Sequence, residues 1–116
     1  MPSRAENRIG APALDEIREN FGLSEDELAA LFAVSRPAIA KWRQRSVPFE
    51  RSADVDRARE LSQYFVRRFI PARVPQIVRT PGKGLGGQTV LNVVARVGVE
   101  PVYAYLERLF SYVSLG

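Results

Sequence analysis

The sequence predicts an all-α protein, and three observations carry that prediction. Apolar residues recur at three- and four-residue steps through most of the chain. Serine, threonine or proline stands where each of these patterns begins, and glycine or proline where several end. No strand-rich segment interrupts them. The chain has 116 residues, the size of one domain or two very small ones. Its composition, 46% hydrophobic and 26% charged, is globular rather than disordered.

Residues 1–11 read as a loose arm. Residues 13–21, ALDEIRENF, place Leu14, Ile17 and Phe21 at helical spacing, and Gly22 ends that helix. Ser24-Glu25-Asp26-Glu27 has the form of a capping box, and its carboxylates complement the positive end of a helix dipole. The helix that follows carries Leu28, Leu31 and Phe32 on one face. Ser35 caps a third helix, RPAIAKWRQR, with Pro37 tolerated in its first turn. Residues 51–70 read as a long helix on Val55, Ala58, Leu61, Phe65 and Phe69, broken by Pro71 and Pro75. Residues 76–79 read as a short extended piece before a glycine loop. Thr89 caps a helix through VLNVVARV, although those valines also suit a strand. A last helix, PVYAYLERLFSYV, has Val102, Tyr105, Leu106, Leu109 and Val113 as its apolar face. The expected division is an arm (1–11), a first helical domain (12–48) and a second (49–116), with a seam around 47–51.

Several function classes fall away. Cysteine and histidine are absent, which removes disulfides, thiolate nucleophiles, Cys/His metal sites and histidine acid–base catalysis. The one dense carboxylate cluster, 25–27, is explained by capping. No catalytic set remains, so the expectation is a protein that is not an enzyme and uses no cofactor or metal. No apolar run approaches the ~18 residues of a membrane helix, and the N-terminus lacks a signal-peptide core. A cytoplasmic protein is expected. The net charge is +4, and the basic residues cluster in two acid-free stretches, 36–45 and 61–99, which suggests polyanion contact.

Residues 23–45 have the spacing of a helix-turn-helix. Small Ala29 lies where the two helices approach, and Ala33 and Val34 occupy the turn. At ~100° per residue, Ile39 and Trp42 share one face of the second helix, and Pro37, Ala40, Lys41 and Gln44 the other. The expected DNA-binding residues are Ser35, Arg36, Pro37, Lys41, Arg43, Gln44 and Arg45. Arg36 and Lys41 would reach bases, and Arg43 and Arg45 phosphates.

The stretch RTPGKGLGGQTV, 79–90, contains Gly82-x-Gly84-x-x-Gly87, the spacing of a dinucleotide-binding loop. The surroundings contradict that reading. There is at best one short strand before the loop, no second βαβ unit, and the expected acid ~20 residues on falls at Glu107, inside a helical pattern. Glycine here serves a turn between helices, with Lys83 a solvated charge or a partner contact.

Two sets of residues resemble known families. L-S-x-x-E-L-A at 23–29, V-S-R at 34–36, Ile39 and Trp42 resemble the Xre-type helix-turn-helix repressors. R-T-P-x-x-x-L-G-G-x-T-x-L at 79–91 resembles the C-terminal domain of MbcA/ParS/Xre antitoxins, so that the likeness covers roughly residues 23–113. The chain departs from that pattern in lacking an aromatic residue near Gln76 and Ile77. It also has Gly82 for the usual asparagine, Val90 for the usual proline, and no aspartate near Asn92. The resemblance implies an antitoxin of a type II toxin–antitoxin pair. Such a protein binds a RES-domain, NAD-consuming toxin, represses its own operon and forms oligomers. It implies Arg79, Lys83, Leu85, Gly86, Gly87, Tyr112 and Leu115 as toxin-facing residues. The alternatives are a stand-alone repressor whose C-terminal part serves oligomerisation and a partner-binding adaptor with a vestigial helix-turn-helix.

Overall fold

The computed structural model describes residues 10–115, with side chains through Ser111. It is all-helical: α1 (Ala11–Phe21), α2 (Glu25–Leu31), α3 (Arg36–Gln44), α4 (Phe49–Arg68), α5 (Val74–Ile77), α6 (Val90–Arg96) and α7 (Glu100–Leu115). Two 3-10 turns, Pro71–Arg73 and Lys83–Leu85, flank α5 and the glycine loop.

The helix ends form where local chemistry favours them. Gly22 closes α1, with its N–H and that of Leu23 returning to the Glu19 and Arg18 carbonyls. Ser24 and Glu27 complete the capping box of α2: the Glu27 N–H donates to Ser24 Oγ (3.1 Å) and the Ser24 N–H to Glu27 Oε1 (3.0 Å). Ser35 caps α3 by accepting from the Ala38 N–H at 3.2 Å, and Thr89 caps α6 by accepting from the Asn92 N–H at 3.0 Å. Val90, Val93 and Val94 therefore serve a helix.

Helix α1 lies along α4. Leu14, Ile17 and Phe21 pack on Val55, Ala58, Leu61 and Phe65, all buried, and the Phe21 and Phe65 rings meet edge-on at 5.7 Å. Each large side chain removed from water here stabilises the fold by about 1.5–3 kcal/mol. Buried Ser62 donates to the Arg59 carbonyl and accepts from Asn20 Nδ2 of α1, so its hydroxyl is satisfied. α6 lies against α2, α5 against α1, and α7 against α6 and the second 3-10 turn. The buried residues on both sides of residue 48 belong to one core.

Four expectations change. Residues 76–79, expected as an extended piece, instead close a short helix at 74–77 and turn after it; Pro75 is tolerated there because it sits in the first turn, where a missing N–H breaks no bond. Ala11 already belongs to α1 and Gly10 is its N-cap, while residues 1–9 of the arm lie outside the described residues. The long helix starts earlier, at Phe49, whose side chain is 91% exposed. On α7, Val102 and Leu106 are buried, but Leu109 is exposed. Tyr103 and Phe110 take the packing role instead, against Tyr64 of α4 and Phe69 just after it (ring centroids 5.7 and 5.5 Å). Val113 lies outside the described side chains.

Candidate nucleic-acid interface and partner surface

The pair α2–α3 is joined by a tight turn at Phe32–Ser35. The Ala33 N–H donates to the Ala30 carbonyl and the Val34 N–H to that of Ala29, both at 3.0 Å. Ala33 sits in left-handed backbone, φ 55°. Buried Ala29 lets α3 approach α2, while Ile39 and Trp42 fix α3 in the core from its inner face. The Trp42 ring lies 6.0 Å from that of Phe32 and carries the Arg51 guanidinium at 5.6 Å. Arg51 also donates to the Phe32 carbonyl, tying the start of α4 to the turn.

The outer face of α3 is open. Arg36, Pro37, Ala40, Lys41, Gln44 and Arg45 are all exposed. Among the described residues Arg36 has only a loose ion pair, to Asp26 at 3.7 Å. Ser35 is also exposed, but its hydroxyl is held by the cap. Arg43 behaves differently. Its Nε and Nη2 donate to the two carboxylate oxygens of Glu25 (3.1 and 2.9 Å), and its Nη1 to Asp15. Burial opposes its charge, but Glu25 and Asp15 outweigh burial and raise its pKa. From the sequence this arginine is expected at phosphate. In the structure it clamps α3 to α1 and α2, while Arg36, Lys41, Gln44 and Arg45 stay exposed. The signal was hidden because Glu25 and Asp15 lie 18 and 28 residues away.

Arg79 is a second such tie. It makes a two-pronged bond to Glu27 (Nε to Oε2 2.9 Å, Nη2 to Oε1 2.7 Å). It also donates to the carbonyls of Gly22 (2.6 Å) and Pro75 (2.7 Å). The Arg79 bonds first, and the Ser24 N–H next, hold the Glu27 carboxyl down to about 2. Arg79, expected as a toxin contact, anchors the glycine loop to the start of α2.

Five of the seven backbone N–H groups of that loop are already engaged. The N–H groups of Gly82, Leu85, Gly86, Gly87 and Gln88 all bond to carbonyls within 82–88, and Gly82 and Gln88 form an isolated antiparallel bridge. A phosphate cradle needs those donors pointing outward. Gly86 and Gly87 take φ of 67° and 81°. Gly84 is pressed against the Tyr105 ring, closer than a Cβ would allow. The glycines thus shape a turn and admit an aromatic ring. Lys83 is exposed and Leu85 half-buried. Beside the loop an apolar pocket of about 220 Å³ opens between Phe65, Phe69, Leu85, Tyr105 and Leu109. Tyr112 and Leu115 lie outside the residues whose side chains are described.

No helix among the described residues is long and apolar enough to cross a membrane. No protein-family model, curated protein or solved structure matches the chain.

Proposed function

We propose that this protein is the antitoxin of a type II toxin–antitoxin pair. Its α2–α3 pair is read as a helix-turn-helix that binds the operon's own promoter. Its C-terminal part is read as the surface that holds a RES-domain, NAD-consuming toxin. The observation that carries the DNA half is α3 itself. It is pinned from within by Ile39, Trp42 and Arg43, and presents Arg36, Lys41, Gln44 and Arg45 outward with small Pro37 and Ala40 between them. A rigid helix with a basic, uncrowded outer face suits a major groove. The partner half rests on the resemblance of residues 79–91 and on the apolar pocket beside that loop, which suits an inserted side chain of a partner. Oligomerisation of the chain belongs to the same reading.

Co-expression with the adjacent gene, scored by growth and by affinity pull-down, tests the partner half. A stable complex with rescue of growth is expected; neither a complex nor rescue sinks it. For the DNA half, Lys41→Ala is expected to relax preference at single operator positions by about 1–3 kcal/mol. Arg45→Ala should weaken binding to all sequences alike. One observation favours the stand-alone repressor as second reading. With Arg79 engaged by Glu27 and two carbonyls, the loop offers a partner little charge beyond Lys83. Tight operator binding without any toxin partner would select it.

A further inference from the structure

The last turn of α4 and the segment after it carry Arg67, Arg68 and Arg73, all exposed. Among the described residues, no carboxylate lies within 4.0 Å of their guanidinium groups. The nearby acids of the two helices are Glu60 on α4 and Glu107 on α7, both exposed. Arg68 is held in place: its guanidinium stands 4.4 Å from the Phe110 ring centroid and 5.4 Å from that of Tyr64. Stacking of this kind fixes the plane of the donor fork before any anion arrives. Arginines at a helix C-terminus also complement its dipole, but that dipole amounts to only about half a charge. It does not account for three.

From the α3-bound start of α4 at Arg51 to Arg68 is 17 residues, about 25 Å of helix. That exceeds the Debye length of roughly 8 Å at physiological salt. The patch therefore acts on an anion independently of α3. We propose that Arg67, Arg68 and Arg73 form a second, sequence-independent contact for the phosphate backbone of duplex DNA, at the end of α4 remote from α3. Phosphate is favoured over an acidic protein surface because three unpaired guanidinium groups dominate the patch. Ile70, 62% exposed beside them, is the feature that an acidic protein partner would use instead.

The test is a titration of a labelled random-sequence duplex with the full chain, between about 50 and 200 mM salt. The triple substitution Arg67→Gln/Arg68→Gln/Arg73→Gln should lower the slope of log K against log salt by about three units, at ~0.9 per phosphate. The triple lysine replacement should keep most of the slope, since a phosphate contact needs the charge. Circular dichroism and Trp42 fluorescence verify that each variant is folded. An unchanged slope in the glutamine variant overturns the proposal, as does an equal loss in the lysine variant. A glutamine variant that binds DNA normally but loses a co-expressed protein partner also overturns it, in favour of a protein surface. The parallel variant Lys41→Gln/Arg45→Gln separates this proposal from the reading of α3. If only the α3 variant loses slope, the patch proposal fails and the α3 reading stands. If only the patch variant does, the reverse holds. If the unsubstituted chain does not bind the duplex, both fail.

Discussion

Two of the tight turns that the chain makes through left-handed backbone are built from different residues. Between α2 and α3 the left-handed position is alanine, Ala33 at φ 55°. In the 82–88 loop the left-handed positions are Gly86 and Gly87. Yet the glycine with the tightest surroundings is Gly84, whose φ is not positive and whose missing Cβ makes room for Tyr105. Left-handed backbone alone does not demand glycine here, since a held turn tolerates alanine. Close packing of a ring on the main chain does demand it. Within the 82–88 loop, Gly84→Ala is therefore the glycine substitution expected to do most harm. Its Cβ would come within 3.0 Å of two Tyr105 ring atoms, so the ring must move. Overpacking of this kind costs about 1–3 kcal/mol, here towards the top of that range. Urea unfolding followed by circular dichroism measures it. A loss under 0.5 kcal/mol, the scale of ordinary surface changes, would mean that the ring is not held against the loop.

Next in size is the tie at the foot of the loop. Arg79→Ala removes a two-pronged ion pair and two bonds to carbonyls. Both side chains are about a third exposed (35% and 36%), so water screens much of the gain, and the expected loss is about 1–2 kcal/mol. The pair also gives this effect a pH signature. The Glu27 carboxyl is depressed in the folded chain, to about 2 from an ordinary 4.5. Its contribution is thus complete above 4.5 and disappears as the pH falls towards 2. The stability gap between the parent and Arg79→Ala should narrow over that window. A gap that stays constant from pH 6 down to about 2.5 would show that the carbonyl bonds, not the carboxylate, carry the tie.

These cases show which parts of the molecule local sequence makes legible. The caps at Ser24, Ser35 and Thr89 are three-residue signals, and a reader of the sequence sees both partners of each bond at once. The open face of α3 follows from helical geometry for the same reason. The partners of Arg43 and Arg79 stand 18 and 52 residues away, and nothing local distinguishes those arginines from Lys41 or Arg45. Helix α5 was hidden because Val, Pro and Ile read as extended when the first-turn allowance for Pro75 is not considered. The packing of α7 was hidden because the helix is covered on two sides, so a single apolar stripe describes it poorly. Val102 and Leu106 face the core, while Tyr103 and Phe110 face the end of α4.

The comparison of the two turns is sharpened by a reciprocal pair of substitutions. At Gly86 nothing would crowd an added Cβ, so Gly86→Ala isolates the backbone penalty from packing. A left-handed L-residue costs about 1–2 kcal/mol, partly offset by the unfolded-state entropy that alanine gives up. A net loss of about 1 kcal/mol is expected by urea unfolding, smaller than for Gly84→Ala despite the positive φ.

Ala33→Gly is the mirror experiment and the smallest effect. Ala33 is exposed, so its methyl group contributes little burial. Its conformation is imposed by its neighbours: the Ala33 and Val34 N–H groups return to α2 carbonyls, and Arg51 holds the carbonyl of Phe32. Glycine relieves the left-handed strain but adds about 0.5–1 kcal/mol of unfolded-state entropy. The difference leaves a net stabilisation of about 0.5 kcal/mol, read as a small rise in the urea midpoint at constant slope. The sign is the informative result. A more stable glycine variant would mean that the turn keeps alanine against a local penalty, with the surrounding bonds setting the angle between α2 and α3. A less stable one would mean that the bonds around Ala33 have already absorbed the strain, and that glycine adds only freedom to the unfolded chain.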